Sequence, residues 1–244
     1  MGLGIRDSGF GAHATRGPHP QSGQIPNPKS RIPLLNAILD KDVAARAGWT
    51  ILDLARAFLS GGARFLQVRA KHASSAWLLD ASSAVVALGQ AVGATVVVND
   101  RADIARLSRA HGVHLGQQDL DPASARAIVG CDALVGLSTH TLKQVDAATS
   151  QPVSYLAIGP VFGTATKATG HAAIGLDLVS RAAARARERG LPVVAIGGIT
   201  LDTAADVIGA GASSVAVISD LVSTGDPEAR VHAYLDRLSQ VSDV

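Results

Sequence analysis

Residues 94–115 read ATVVVNDRADIARLSRAHGVHL. The stretch begins with an apolar run at 94–98 and ends with a second run at 112–115. Both runs are short and rich in Val or Leu, which is typical of parallel strands that are buried on both faces. Parallel strands need a long crossover, usually a helix, and the segment between these runs is long enough for one. The stretch therefore predicts a strand, a helix and a second, parallel strand.

The same alternation continues along the chain from Pro33. Helical patterns fill the gaps; at 51–60 the apolar residues share one face, and Thr50 stands where a capping residue is expected. Eight strands, each followed by a helix, predict an α/β fold of the (β/α)8 barrel type. A doubly wound open sheet is the alternative, but no GxGxxG motif follows the first strand, so we favour the barrel. The predicted strands are 34–39, 64–68, 94–98, 112–115, 133–137, 153–158, 192–196 and 213–218.

The composition indicates a soluble chain with a substantial core. Apolar residues make up 47% of the 244 positions and charged residues 17%, which suits one large domain. No apolar run approaches the ~20 residues that span a bilayer, so we expect no membrane partner. Cys131 is the single cysteine, which fits a reducing cytosol, and we expect a cytoplasmic protein in which this thiol is buried.

Residues 1–31 differ from the rest of the chain. They are rich in Gly and Pro, lack periodicity and predict a flexible tail before a single catalytic domain at 32–244. They carry a net charge of +3, which leaves −1 for the remainder, so the basic excess does not indicate a nucleic-acid surface on the folded part. The tail has no apolar secretory core; an organelle transit peptide stays open.

The second predicted strand ends in two cations. In QVRAK (67–71), the strand period places Gln67, Arg69 and Lys71 on one face. If that face is the barrel interior, two uncompensated cations lie side by side, and a bound polyanion would offset the cost. The alternative is that Arg69 and Lys71 are solvated loop charges.

Two carboxylates follow the third and fourth strands. Asn99 and Asp100 end one motif, NDR, and Asp119 ends GVHLGQQD. Carboxylates among cations at neighbouring strand ends predict a Mg²⁺ ion shared with phosphate oxygens. The alternative is that Asp100 caps the next helix and Asp119 forms a local salt bridge.

Other strand ends carry hydroxyls and glycines. Ser138 ends the fifth strand and can donate a hydrogen bond to an oxyanion, whereas His114 and His140 fit structural roles better than a general base. After the sixth strand, GPVFGTATKATG (159–170) indicates an anion-binding loop. Loops after strands seven and eight of such barrels often bind phosphate through backbone amides. The candidates for these anion sites are Thr164, Thr166, Lys167, Gly198, Ile218 and Ser219.

Taken together, these motifs resemble the thiamine-phosphate synthase family over residues 33–240. In order they are QVRAK, NDR, GVHLGQQD, GLSTH, GPVFGTATK, AIGGI and VAVIS. The resemblance implies a transferase that joins an aminopyrimidine methyl diphosphate to a thiazole phosphate, or its carboxylate, and releases pyrophosphate. It also implies that Mg²⁺ is the cofactor.

The resemblance implies roles for the residues that match these motifs. Arg69, Lys71, Ser138 and Lys167 would act on the departing diphosphate, and Asp100 and Asp119 would bind Mg²⁺. The substrate-binding set would be Gln67, Arg69, Lys71, Asn99, Ser138, Thr164, Thr166, Lys167, Gly198, Ile218 and Ser219.

The chain departs from the family pattern at three positions. Asn36 stands where a tyrosine near the pyrimidine is usual, and Ala70 and His111 replace acids. These departures put the dimensions of the pyrimidine pocket in question rather than the reaction. Two alternatives stay open, namely a thiazole tautomerase that uses His140 and a catalytically inactive phosphate-binding module. Self-association also stays open.

Overall fold

Eight parallel strands close into a barrel in the computed structural model, which describes residues 32–163 and 172–242. Each strand pairs in parallel with the next along the chain, and the last pairs with the first. This confirms the predicted (β/α)8 barrel; the predicted tail at 1–31 lies outside the described residues. The strands are β1 (Leu35–Asp40), β2 (Phe65–Arg69), β3 (Thr95–Asn99), β4 (Gly112–Leu115), β5 (Leu134–Thr139), β6 (Tyr155–Ile158), β7 (Val193–Ile196) and β8 (Ser214–Val217).

Helices follow the strands, and several of them begin at residues whose side chains cap them. The side chain of Thr50 accepts a hydrogen bond from the Asp53 N–H at 3.1 Å, and Asp121 caps the helix that begins at Pro122. Within the described part of the chain, no helix combines the length and the apolar character needed to cross a bilayer. The helices are α1 (Lys41–Arg46), α2 (Ile51–Ser60), α3 (Ser75–Gln90), α4 (Ala102–Leu107), α5 (Pro122–Val129), α6 (Leu142–Ala148), α7 (Gly175–Arg187), α8 (Leu201–Gly209) and α9 (Pro227–Ser242), with a 3₁₀ helix at Ser219–Val222.

Alternate residues of each strand face the barrel interior and the surrounding helices. On β2, Leu66 and Val68 belong to the outer core, in which strands pack against helices, whereas Phe65 belongs to a second, inner core. The strand period therefore turns Gln67 and Arg69 inward with Phe65, as predicted. The inner core consists of Ile38, Val43, Phe65, Val97, Tyr155, Ala157, Val194, Ala216 and Ile218.

Four strands extend further than the sequence predicts. The structure ends β1 at Asp40, β2 at Arg69, β3 at Asn99 and β5 at Thr139, each one or two residues beyond the expected limit. Ladder partners account for the extension, because Asp40 pairs with Arg69 and Asn99 pairs with His114. The alternative in which Arg69 is a loop charge is therefore wrong, and this side chain is held by the sheet.

The prediction that Cys131 is buried is wrong, because its thiol is exposed. The residue lies in the turn between α5 and β5, where the chain passes over the surface. The apolar character of cysteine indicates burial only when the residue lies on the inward face of an element, and a turn has no such face.

Gly136 provides a test of the interior packing. A Cβ at this position would overlap the phenol ring of Tyr155 and press on the ring of His114. We expect Gly136→Ala to lower the free energy of unfolding by about 1–3 kcal/mol, because a filled core accommodates an added group poorly. Urea unfolding measures this change.

The matched control is Gly209→Ala at the end of α8, where an added Cβ meets nothing within 4 Å. This variant should be neutral or more stable by up to about 1 kcal/mol, since alanine favours the helix. Equal effects of the two substitutions would contradict the packing described here.

Candidate active site

Arg69 and Asp40 form a buried ion pair at the carboxyl ends of β1 and β2. Their side chains are 13% and 4% exposed, and a guanidinium nitrogen of Arg69 contacts the Asp40 carboxylate. The expectation of two uncompensated cations is therefore wrong for Arg69, because a carboxylate of the chain itself neutralises it. A buried pair of this kind is costly to break, since either partner alone would be a buried, uncompensated charge.

Sequence reasoning missed Asp40 as a site residue, although the pattern contains a signal for it. Asp40 is the last residue of β1 and lies on the same alternating face as Asn36, which points inward. Its carboxylate also accepts hydrogen bonds from the backbone N–H groups of Asp42 at 3.1 Å and Val43 at 3.0 Å. The residue thus both begins α1 and holds Arg69 at the mouth of the barrel.

Buried polar atoms below this ion pair lack partners. Asn36 Oδ1, Gln67 Oε1 and Arg69 Nε make no hydrogen bond to any described residue. Asn36 and Gln67 are only 1% and 2% exposed. Buried polar groups are nearly always hydrogen-bonded in proteins, so these atoms indicate a place where a ligand or an ordered water is bound.

Lys71 and Asp100 form a second ion pair, nearer to solvent. Lys71 Nζ lies 3.1 Å from Asp100 Oδ2, and the lysine side chain is 47% exposed. Asp100 does not cap α4, because that helix begins after Arg101 without a side-chain cap, so the capping alternative is wrong. Asp100 instead adopts a left-handed backbone conformation with φ of 66°, while its N–H donates to the His114 carbonyl at 2.7 Å. Asp is one of the few residue types other than glycine that adopt this conformation readily.

Asp100 and Asp119 bring two carboxylates together at the ends of β3 and β4. Burial raises the pKa of Asp100, the neighbouring carboxylate of Asp119 raises it further, and Lys71 acts in the opposite direction. Asp119 Oδ2 also accepts a hydrogen bond from the Gly116 N–H at 2.7 Å. Two adjacent carboxylates repel each other when both are ionised, and a bound cation would relieve that repulsion.

Ser138 is held in place by a short chain of hydrogen bonds. Its Oγ lies 2.9 Å from Nε2 of the buried His114, and Nδ1 of the same ring lies 2.9 Å from the Tyr155 hydroxyl. Burial raises the pKa of Tyr155, so the phenol stays protonated. When Tyr155 donates to Nδ1, the imidazole donates to Ser138 through Nε2, and the serine O–H is left to donate to a ligand. His114 is thus the satisfied core residue that the sequence predicts.

His140 connects two strand ends. Its ring Nδ1 lies 2.6 Å from the Gly159 carbonyl oxygen, and its backbone N–H donates to the Gln144 side chain at 2.7 Å. The first contact joins the end of β5 to the start of the loop after β6, and the second joins it to α6, which fits a structural role.

The loop after β6 begins against the loop after β7. The N–H groups of Val161 and Phe162 donate to the carbonyls of Ile196 and Gly197, each at 2.9 Å. Gly198 has a φ of 64°, and an added Cβ there would crowd the backbone of this loop, so a glycine is required. Thr164, Thr166 and Lys167, which follow in the same loop, lie outside the described residues, and their roles stay predictions.

Ile218 and Ser219 follow β8 directly, beside β7 and its glycines. The Ile218 side chain lies in the inner core, while its backbone turns into the 3₁₀ helix that begins at Ser219. Gly198, Ile218 and Ser219 therefore lie at the carboxyl ends of adjacent strands, which is the position of phosphate sites in many such barrels.

Comparison with known proteins connects this site to one family. The model of the family described as thiamine monophosphate synthase matches residues 35–221, which is most of the chain. The chain belongs to the thiamine monophosphate synthase family. The match includes β1 to β8 and every predicted site residue, so the family that the sequence motifs resemble is confirmed.

Relatives and a solved structure agree with this membership. A thiamine-phosphate synthase of Koribacter versatilis is 41% identical over 211 residues, which cover 85% of this chain and 97% of that protein. One of Thermosynechococcus vestitus is 41% identical over 190 residues, and this chain spans only 53% of its length. The structure of a thiamine phosphate pyrophosphorylase from Pyrococcus furiosus has a TM-score of 0.77 at 28% identity, with 85% of this chain and 96% of that chain covered.

The ion pair of Asp40 with Arg69 predicts a large effect on stability. Asp40→Ala would leave a buried guanidinium without its partner and remove the cap of α1. We expect the free energy of unfolding to fall by about 3–5 kcal/mol, as measured by urea unfolding.

The control is Asp177→Asn, which removes an exposed ion pair with Arg181 on α7. Exposed pairs of this kind contribute about 0.5 kcal/mol or less. If the free energy of unfolding falls no further in Asp40→Ala than in the control, Asp40 does not compensate the charge of Arg69.

Proposed function

We propose that this chain joins 4-amino-2-methyl-5-(diphosphooxymethyl)pyrimidine to a thiazole phosphate, or to its carboxylate, and releases thiamine phosphate and pyrophosphate. The observation that carries the proposal is the arrangement of Arg69, Lys71, Asp100 and Asp119 at one barrel mouth, where cations and a carboxylate pair lie together. This combination suits a diphosphate bound with a divalent cation. Membership of the thiamine monophosphate synthase family supports the same reaction.

The chemistry consists of breaking one bond and forming another. The C–O bond between the pyrimidine methylene and the diphosphate breaks, and its electron pair leaves with pyrophosphate. The thiazole nitrogen then supplies an electron pair to the methylene carbon and forms the C–N bond. A carboxylated thiazole would also lose CO₂. The protein has to stabilise the leaving anion and hold the thiazole nitrogen in line, and no side-chain nucleophile is required.

The diphosphate would lie against the cations at the ends of β2 and β6. Arg69 has a donor, Nε, without a partner among the described residues, and Lys71 extends into the mouth. Lys167, in the loop after β6, would complete the set. In this proposal the ion pairs with Asp40 and Asp100 hold Arg69 and Lys71 in position before the substrate arrives.

The pyrimidine ring would lie deeper in the barrel. Gln67 and Asn99 line the inner face of β2 and β3, and both are buried. Ser138 has its hydroxyl oriented by His114. Amide and hydroxyl groups of this kind can form hydrogen bonds with the amino group and ring nitrogens of an aminopyrimidine.

Asp100 and Asp119 are the residues that would hold Mg²⁺. The raised pKa of Asp100 reflects burial and the carboxylate beside it, so these residues fit a divalent cation. Among the described residues, no group of three or more His, Cys, Asp or Glu side chains forms a metal cage. Mg²⁺ commonly takes one or two carboxylates and completes its shell with water and phosphate oxygens. When bound, the ion would supply positive charge against the diphosphate.

The thiazole phosphate would occupy the backbone-rich site between β7 and β8. Gly198, Ile218 and Ser219 would offer N–H groups there, and Thr164 and Thr166 would add hydroxyls from the adjoining loop. The hydrogen bonds that join residues 161 and 162 to the strand-seven loop support this assignment, because they fix the start of the loop beside Gly198.

We also propose that the reaction takes place in the cytoplasm.

The proposal predicts magnesium-dependent release of pyrophosphate from the two substrates. Asp119→Asn should lower the turnover number by about 100-fold or more, because the cation site loses one of its two carboxylates. A coupled assay for pyrophosphate, combined with detection of thiamine phosphate, measures both products. A tautomerase would release no pyrophosphate, and an inactive binding module would show no turnover with Mg²⁺.

The control for this substitution is Asp132→Asn, an exposed carboxylate between α5 and β5 at the opposite end of the barrel. Its turnover should equal that of the unmodified protein. Equal loss of activity in both variants would show that the effect of Asp119→Asn is not specific to the proposed cation site.

The proposed role of Lys167 toward the diphosphate leads to a second kinetic prediction. Lys167→Ala should slow pyrophosphate release far more than it weakens thiazole binding, because its charge would act on the leaving group. Lys143→Ala, which changes an exposed residue of α6, is the control. Unchanged turnover in Lys167→Ala would exclude this role.

A further inference from the structure

Asp220 is a partly buried acceptor just beyond β8 that the proposed reaction does not use. Its Oδ2 accepts hydrogen bonds from Arg230 Nη2 at 2.8 Å and from Arg230 Nε at 3.2 Å. The Tyr234 hydroxyl donates to the same oxygen at 2.5 Å, and the Leu201 N–H donates to it at 3.2 Å. The side chains of Asp220 and Arg230 are only 16% and 20% exposed, so this pair is largely shielded from water.

The donors come from two separate helices. Leu201 is the first residue of α8, and Arg230 and Tyr234 lie one turn apart on α9. The Tyr234 hydroxyl also lies 3.5 Å from the carbonyl oxygen of Ile199, in the loop between β7 and α8. Asp220 therefore joins the segment after β8, the loop after β7 and α9 through one carboxylate oxygen.

Both halves of the proposed thiazole-phosphate site adjoin this junction. Ile218 and Ser219 immediately precede Asp220, and Gly198 lies three residues before Leu201. The backbone N–H groups proposed for Gly198, Ile218 and Ser219 cannot adjust to the ligand by changing a rotamer. The separation of the two loops must then be set by something outside the site, and the bond from Leu201 to Asp220 spans them.

The carboxylate at this junction is paired with a cation, so it does not repel a bound anion. A carboxylate next to a phosphate would weaken its binding, but Arg230 pairs with Asp220 and neutralises it. Burial, and next the Asp220 carboxylate, raise the pKa of Tyr234, so its hydroxyl stays protonated and keeps donating. The guanidinium of Arg230 also packs over the Tyr234 ring at 5.7 Å from its centre.

We propose that Asp220 is a positioning residue for the thiazole-phosphate site, which it sets by holding the loops after β7 and β8 at a fixed separation. Arg230 and Tyr234 complete the junction, one by neutralising the carboxylate and the other by orienting it. This inference rests on the proposed function for the identity of the ligand. The junction itself belongs to the described structure.

Asp220→Asn tests the inference, because the amide keeps the shape of the side chain and removes its charge. We expect the KM for the thiazole phosphate to rise about tenfold, which corresponds to about 1.4 kcal/mol of binding. The KM for the pyrimidine diphosphate should stay within about twofold, since Arg69 and Lys71 are held by Asp40 and Asp100 and not by Asp220. Calorimetric titration with the thiazole phosphate alone should show the same loss of affinity without any turnover.

Asp226→Ala is the matched control. Asp226 caps α9 by accepting from the Ala229 N–H at 3.0 Å, and it forms no hydrogen bond with Asp220 in the described part of the chain. The variant weakens the same helix, so its Tm should fall while both KM values stay unchanged. If Asp226→Ala raises the thiazole KM as much as Asp220→Asn does, the effect comes from helix stability and the inference is overturned.

Tyr234→Phe provides a second variant in case Asp220→Asn does not fold. It removes one donor to Asp220 and keeps the ring under Arg230, and we expect about a threefold rise in the thiazole KM. Unchanged affinity for the thiazole phosphate in the folded variants would overturn the inference while leaving the proposed function intact. Absence of pyrophosphate release by the unmodified chain would instead refute the proposed function.

Discussion

All eight strands of this barrel run in the same direction, so their carboxyl ends meet at one mouth. Because side chains alternate along a strand, every second residue near that end points into the same small space. This constraint brings Asp40, Arg69 and Asn99 together, although they are 29 and 30 residues apart along the chain. Every further feature of the site, from the ion pairs to the two proposed anion-binding regions, follows from that convergence.

Both cations at the end of β2 have carboxylate partners before any substrate binds. Arg69 pairs with Asp40 deep in the mouth, and Lys71 pairs with Asp100 nearer to solvent. A polyanion alone would be attracted by the cations and repelled by the carboxylates. A polyanion that arrives with a divalent cation satisfies both, and for this reason the arrangement supports a diphosphate bound with Mg²⁺. The proposed phosphate site between β7 and β8 follows a different principle, since backbone groups held from outside the site would define it.

The fold could be predicted from the sequence, because the alternation of apolar strands and amphipathic helices is a local signal. The inward face of β2 was also predictable, since Gln67 and Arg69 follow the period of a strand. The partner of Arg69 was not predicted, because Asp40 is distant in sequence and only the β1–β2 register brings the two together. The prediction that Cys131 is buried was wrong, because the apolar character of cysteine does not indicate burial for a residue in a turn.

Asp220 could not have been found from sequence motifs. Its three partner residues come from α8 and α9, so nothing near it in the chain indicates that it is buried or shared. The relation of the loop at 159–163 to Gly198 likewise depends on hydrogen bonds between strands. Local patterns thus locate the strand ends, and tertiary contacts decide which of those ends act together.

Calorimetric titration of the unmodified chain with pyrophosphate, with and without Mg²⁺, tests the central claim most directly. The paired cations and the adjacent carboxylates of Asp100 and Asp119 predict that pyrophosphate binds at least tenfold more tightly when Mg²⁺ is present, a difference of about 1.4 kcal/mol. Equally tight binding in both conditions would contradict the account, because Asp100 and Asp119 would then have no part in holding the leaving group.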